Sequence, residues 1–139
     1  MSQDTGPRDQ IVVAEDSPPN RKILSHLLEK MGFEVISCEN GKVAWDKMKS
    51  GEHKNIVAVL SDVMMPEMDG ISFLQEVRGS DPYKALPFVL VTAVSDKEYI
   101  IRAKALNVSG YILKPVTFQR VEAKMKELFP NKTFPKLAG

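Results

Sequence analysis

IVAVLSDVMMPEMDG, residues 56–70, sets the terms for the whole chain. Five apolar, mostly β-branched or aliphatic residues run straight into Ser61 and Asp62, and Pro66 and Asp69-Gly70 then break the pattern. A short continuous apolar run bounded by turn residues reads as a strand buried on both faces. Such a strand has little reason to end on a carboxylate. Asp62 could be a turn residue, a helix cap, a metal ligand or a nucleophile. Only the remaining strand ends can discriminate among these.

Working outward, four more runs resemble strands: IVVA (11–14), FEVI (33–36), FVLV (88–91) and YIL (111–113). Helical spacing fills the gaps. Ile23, Leu24, Leu27, Leu28 and Met31 fall on one face of a first helix, with Ser17 as cap, Pro18 and Pro19 in the first turn and Gly32 as terminator. A second helix spans 42–50 and a third 71–78, with Ile71, Leu74 and Val77 inward. A fourth opens on a capping box from Ser95 to Glu98 and stops at Asn107 in the left-handed conformation. Phe118, Val121, Met125, Leu128 and Phe129 stripe a fifth. Five strand–helix units in strict alternation imply an α/β fold, a parallel sheet with helices on both faces. In open sheets of this kind ligands bind beyond the carboxyl ends of the strands.

Those ends read Glu15-Asp16, Asp62, Thr92 and Lys114. Three carboxylates meeting at one edge repel one another, and a divalent cation together with the Lys114 ammonium would compensate. All-oxygen ligands suit a hard ion, Mg²⁺, which is typically held by one or two carboxylates and shares a substrate phosphate. No His or Cys is placed for zinc. A carboxylate in that setting can attack phosphorus and form an acyl phosphate. Asp62 is therefore read as the phosphoryl acceptor, with Glu15 and Asp16 on the metal. Lys114 offsets charge on the transferring group, and Thr92 donates its hydroxyl to a phosphoryl oxygen.

The bulk composition restricts the partners. The chain has 139 residues, 43% hydrophobic and 27% charged, with a formal net charge of +1. That is one domain of ordinary composition, with no charge surplus to draw nucleic acid or a membrane surface. The single cysteine, Cys38, rules out an internal disulfide framework and fits a reducing compartment. No run is long enough for membrane insertion and the amino terminus lacks a signal sequence, so the expected location is cytoplasmic. His26 and His53 read as solvated, Trp45 as packing, Cys38 as inert, and Lys42, Lys47 and Lys49 as a solvated helix face.

The motifs AEDS (14–17), SDVMMPEMDG (61–70), VLVTA (89–93) and GYILKP (110–115) resemble those of response-regulator receiver domains of two-component signalling, the CheY-like switches. The resemblance spans residues 10–129, leaving 1–9 and 130–139 as flexible termini. It implies a flavodoxin-like (βα)5 sandwich with strand order 2-1-3-4-5, an order for which the chemotaxis regulator is the standing example. It further implies Asp62 as the phosphorylated residue and Glu15, Asp16, Asp62 and the Met64 backbone carbonyl as Mg²⁺ ligands. Lys114 becomes the phosphate-binding lysine, followed by a cis bond to Pro115, and Thr92 and Tyr111 the switch pair. Met64 and Val94 are apolar where some relatives carry groups that aid an attacking water.

Partners follow from the same resemblance: a sensor histidine kinase or histidine phosphotransfer protein upstream, and a protein target on the surface formed by the fourth helix, fifth strand and fifth helix. The chain is then a switch and not an enzyme beyond its own phosphotransfer and dephosphorylation. KPVTFQRVEAKMKELF (114–129) is similar to the last helix of stand-alone chemotaxis-type regulators. EDSPPNRKILSHLLEKMGF (15–33) is similar to receivers of hybrid kinases that relay phosphate. The short chain favours the stand-alone form. Two other classes use related parts. A haloacid-dehalogenase-type hydrolase needs a second Asp where Met64 stands. A flavodoxin-like electron carrier needs a first loop that welcomes phosphate, and Glu15-Asp16 would repel it.

Overall fold

The computed structural model describes residues 8–93 and 97–132. The elements alternate as the sequence predicts: β1 (Gln10–Ala14), α1 (Pro18–Lys30), β2 (Glu34–Cys38), α2 (Gly41–Lys49), β3 (Ile56–Asp62), α3 (Gly70–Arg78), β4 (Phe88–Thr92), α4 (Lys97–Ala105), β5 (Gly110–Leu113) and α5 (Phe118–Leu128). All strand pairs are parallel, in the order β2-β1-β3-β4-β5. This is the expected flavodoxin-like sandwich. Every chemically interesting strand end therefore emerges on one edge.

The central strands supply both cores by simple alternation. Val12 and Ala14 of β1, Val59 of β3, and Phe88 and Leu90 of β4 face α2, α3 and α4, joining Trp45, Met48, Phe73 and Leu74. Their neighbours Ile11, Val13, Ala58, Leu60, Val89 and Val91 face α1 and α5, joining Leu24, Leu28, Phe33, Val121 and Met125. Continuous apolar runs are what a two-sided burial requires. Phe73 and Phe88 meet edge to face, 5.2 Å between ring centroids.

Several local expectations need correction. Ile23 is 48% exposed, because the buried stripe of α1 runs through Leu24, Leu28 and Met31 and leaves Ile23 on the outer rim. Ser17 sits at the N-cap of α1, but its side chain makes no capping bond. Its backbone N–H instead donates to Glu15 Oε2 at 3.1 Å. Other helices do have side-chain caps: Asn40 on Val43, Asp69 on Ser72 and Thr117 on Arg120. Ser95 and Val94 lie outside the described residues. Asn107 does take the left-handed conformation, φ 57°, and Gly32 follows α1 at φ 101°. His26 is exposed as read, whereas His53 is half-buried. Cys38 is a buried free thiol whose pKa burial pushes up.

Candidate functional site

Register places the acids. Ala14 pairs with Ser61, so the next residues along the two strands, Glu15 just past β1 and Asp62 at the end of β3, reach the same edge of the sheet. Glu15 donates its backbone N–H to the Cys38 carbonyl at 3.1 Å, extending the β1–β2 ladder by one residue. Arg21, one turn into α1, donates to the Glu15 carbonyl at 2.8 Å. That bond ties the acidic loop to the helix that follows it. Arg21 carries no sequence motif and was missed in reading the chain.

Asp62 is still part of β3, one step earlier than a residue following the strand. Its Oδ1 accepts the Val63 backbone N–H at 2.8 Å and its Oδ2 accepts the Lys114 ammonium at 3.1 Å. Lys114 Nζ also lies 3.8 Å from Glu15 Oε1. A carboxylate oxygen from each of Glu15, Asp16 and Asp62 falls within 4.8 Å of the others, and Asp16 is the exposed member. Glu15 and Asp62 are both buried.

Burial, followed by the charge of Asp62, pushes the Glu15 carboxyl up to about 7, against the opposing Ser17 N–H and Lys114. Burial alone would lower the Lys114 ammonium. Its bond to Asp62 and the charges of Asp62, Glu15 and Asp16 outweigh this and hold it above its ordinary value. The cluster is thus acid-rich, with one internal cation for three carboxylates. Three carboxylate oxygens within 4.8 Å of one another form an all-oxygen donor set, which fits a hard divalent cation.

The remaining residues sit close by in the fold. Thr92 ends β4, fully buried, and its hydroxyl donates to the Ala93 carbonyl at 3.2 Å. The Thr92 carbonyl accepts the Lys114 backbone N–H at 2.9 Å, so hydroxyl and ammonium leave adjacent strands at the same level. The Lys114–Pro115 bond is cis, as the resemblance implied. Tyr111, paired with Leu90 in register, is half-buried, and its hydroxyl donates to the Ile100 carbonyl of α4 at 3.3 Å. Burial raises its pKa. The Met64 side chain is 56% exposed, beside Asp62 in the chain and open to solvent.

Two glycines make room for this loop. A Cβ on Gly70 would stand 2.3 Å from the Asp62 carbonyl oxygen, and one on Gly41 would stand 2.6 Å from the Met68 carbonyl oxygen. The segment between Asp62 and α3 folds back on itself: Gly70 donates its N–H to the Val63 carbonyl at 2.8 Å, and Glu67 turns the chain at φ 67°. Sequence marked Asp69-Gly70 as a turn and helix start, which it is. It did not reveal how tightly Gly70 backs onto Asp62, since that approach exists only in three dimensions.

The family profile described as "Response regulator receiver domain" matches residues 11–126. The chemotaxis protein CheY1 of Helicobacter pylori is 30% identical over 118 residues, 84% of this chain and 94% of that protein. The chemotaxis protein CheY4 of Vibrio cholerae superposes with a TM-score of 0.79 at 26% identity, covering 87% of this chain and 98% of that one. The receiver domain of a signal transduction histidine kinase from Syntrophus aciditrophicus superposes with a TM-score of 0.78 at 27% identity, covering 94% and 99%. Matches of this extent leave no place for the hydrolase or the electron carrier, and the chain belongs to the response regulator receiver domain family.

Proposed function

We propose that the chain is a phosphorylation-driven switch in which Asp62 accepts a phosphoryl group from a phosphohistidine on a sensor kinase or histidine phosphotransfer protein. The observation that carries the reading is the 3.1 Å contact of Lys114 Nζ with Asp62 Oδ2, inside a group of three acids whose oxygens lie within 4.8 Å. In the transfer a carboxylate oxygen of Asp62 forms a bond to phosphorus. The bond from phosphorus to the donor imidazole nitrogen breaks, its electron pair staying on nitrogen. Bound Mg²⁺ would supply positive charge for the phosphoryl oxygens, held by Glu15, Asp16, Asp62 and the Met64 backbone carbonyl.

The chain's own groups do the rest. Lys114 is already charged and aimed at Asp62, so it offers fixed positive charge without reorganisation. Thr92, one strand away, offers its hydroxyl to a phosphoryl oxygen and gives up its bond to Ala93. Tyr111 then exchanges its bond to Ile100 for the space beneath α4, re-shaping the face formed by α4, β5 and α5 for a protein target. The chain catalyses only its own phosphoryl uptake and loss.

The similarity to a chemotaxis protein over 94% of that protein's length supports a chemotaxis-type regulator that stands alone. The alternative, a receiver within a hybrid kinase or phosphorelay, draws on the equally good superposition with a histidine kinase receiver. A cytoplasmic setting belongs to either reading; no helix among the described residues is long and apolar enough to cross a membrane. Residues 10–129 form the receiver in this reading.

The test is intact mass after incubation with acetyl phosphate and Mg²⁺. Wild type gains one phosphoryl group, whereas Asp62→Asn and metal-free wild type gain none. A persistent adduct on Asp62→Asn would refute the assignment.

A further inference from the structure

Arg78, the last residue of α3, has no carboxylate partner among the described residues. Its guanidinium instead donates to four backbone carbonyls from two separate segments. Nη1 reaches Leu86 at 2.7 Å and Lys84 at 3.3 Å, in the segment leading into β4. Nε reaches Leu106 at 3.1 Å and Nη2 reaches Asn107 at 2.9 Å, just past the carboxyl end of α4. A planar fork with five donors can bridge two strands of backbone in this way, and an ammonium lacks that geometry. Helix carboxyl ends carry unpaired carbonyls and partial negative charge, so a cation there is favourable. The residue is half-buried, and desolvation lowers its pKa from a value so high that the charge persists.

The rest of that end is equally well tied. Asn107 and Val108 donate to the Lys104 and Ala103 carbonyls at 3.1 Å each, closing the helix around the left-handed Asn107. Ser109 donates its N–H to the Phe88 carbonyl at 2.8 Å, and its hydroxyl accepts the Phe88 N–H at 2.9 Å. By contrast, the body of α4 is thinly held. Ala103 is its only buried residue, the fewest of the five helices, and Ile101 is 68% exposed. Beyond Ala103, half-buried Tyr99 packs against the core from α4 and the Tyr111 hydroxyl bond to Ile100 connects it to the sheet. One end of α4 follows Thr92 and the acid cluster; the other is lashed to α3 and β4 on the far edge of the sheet.

We propose that Arg78 is the anchor about which α4 turns, welding the carboxyl end of α4 to α3 and to the segment before β4, so that a change starting at Thr92 displaces α4 at its amino end alone. Arg78 is a positioning residue: it touches neither the acids nor Lys114. The switching half of this inference rests on the phosphoacceptor reading above; the anchoring half does not.

Amide hydrogen exchange on the full chain tests both halves. Without ligand, Arg78→Met exchanges the Asn107 and Val108 amides about tenfold faster or more, while β1 and β3 amides keep their wild-type rates. Unchanged rates at 107 and 108 in the folded variant would overturn the anchor. Should Arg78→Met fail to fold, Arg78→Lys, which keeps the charge but not the fork, is held to the same criterion. With beryllofluoride and Mg²⁺, wild-type exchange changes over 97–101 and stays constant over 106–109; equal changes at both ends would overturn the pivot. Failure of wild type to take up beryllofluoride would count against the phosphoacceptor reading, and the ligand-free comparison would still decide the anchor.

Discussion

Glu15 shows how much of a site a single residue can govern. Its carboxyl is buried beside Asp62 and rises to about 7 in the folded chain, against an ordinary 4.5. The folded state therefore binds the proton more tightly than the unfolded state does. Stability from this group is fully present below 4.5, declines as pH rises from 4.5 to 7, and is flat above that. In Glu15→Gln, which mimics the neutral acid, this decline disappears. Melting temperatures of the metal-free proteins between pH 4.5 and 8 check it, and parallel curves for the two proteins would sink it. In the proposed switch Mg²⁺ would compete with this proton, and its affinity is expected to weaken as pH falls through 7. At this scale the sequence made the gathering of Glu15, Asp16, Asp62 and Lys114 legible, because acids and lysine announce themselves at strand ends. It was silent on Arg21 and Arg78. A guanidinium that serves only backbone carbonyls has no partner residue type from which to infer it.

Elements place those residues, and the junction of β3 with α3 is the tightest. Gly70 begins α3 directly against the end of β3, where an added Cβ would stand 2.3 Å from the Asp62 carbonyl oxygen. Backbone on backbone cannot yield as a flexible side chain would. Gly70→Ala is expected to cost about 2–4 kcal/mol and to displace Asp62 from Lys114. Urea titration reads the first effect, and the extent of phosphoryl labelling by acetyl phosphate reads the second. Wild-type stability in the variant would mean that the junction is softer than its geometry implies. Strand identity and order were legible from apolar runs and motifs. Element ends were less so: β2 runs to Cys38 because its ladder with β1 extends past the apolar residues, and β3 runs to Asp62 because it pairs there with Val91 of β4. Ile23 was misplaced for a related reason. Helical spacing gives a stripe about 100° wide, and which rim of it meets the sheet depends on how the helix is rolled.

Across the whole molecule the central strands serve two cores at once, so neither helical layer can fail alone. Phe73 lies fully buried against Phe88 on one side of the sheet. Phe73→Ala is expected to cost about 3–5 kcal/mol, a large share of the stability of a domain this size. Unfolding should remain a single transition, with Trp45 fluorescence on that side and far-ultraviolet circular dichroism superimposing; separated transitions would show two independent layers. The same shared sheet gives Cys38 a use that its inertness conceals. The thiol is buried at the end of the edge strand β2, with its pKa raised, so the native protein presents almost no thiolate to a reagent. Modification must wait for β2 to peel away or for the whole chain to open, which makes the rate of labelling at this one position a clock. Timed against a thiol reagent in rising urea, the clock reports whether the sheet frays from its edge or lets go all at once, with no probe added to the protein.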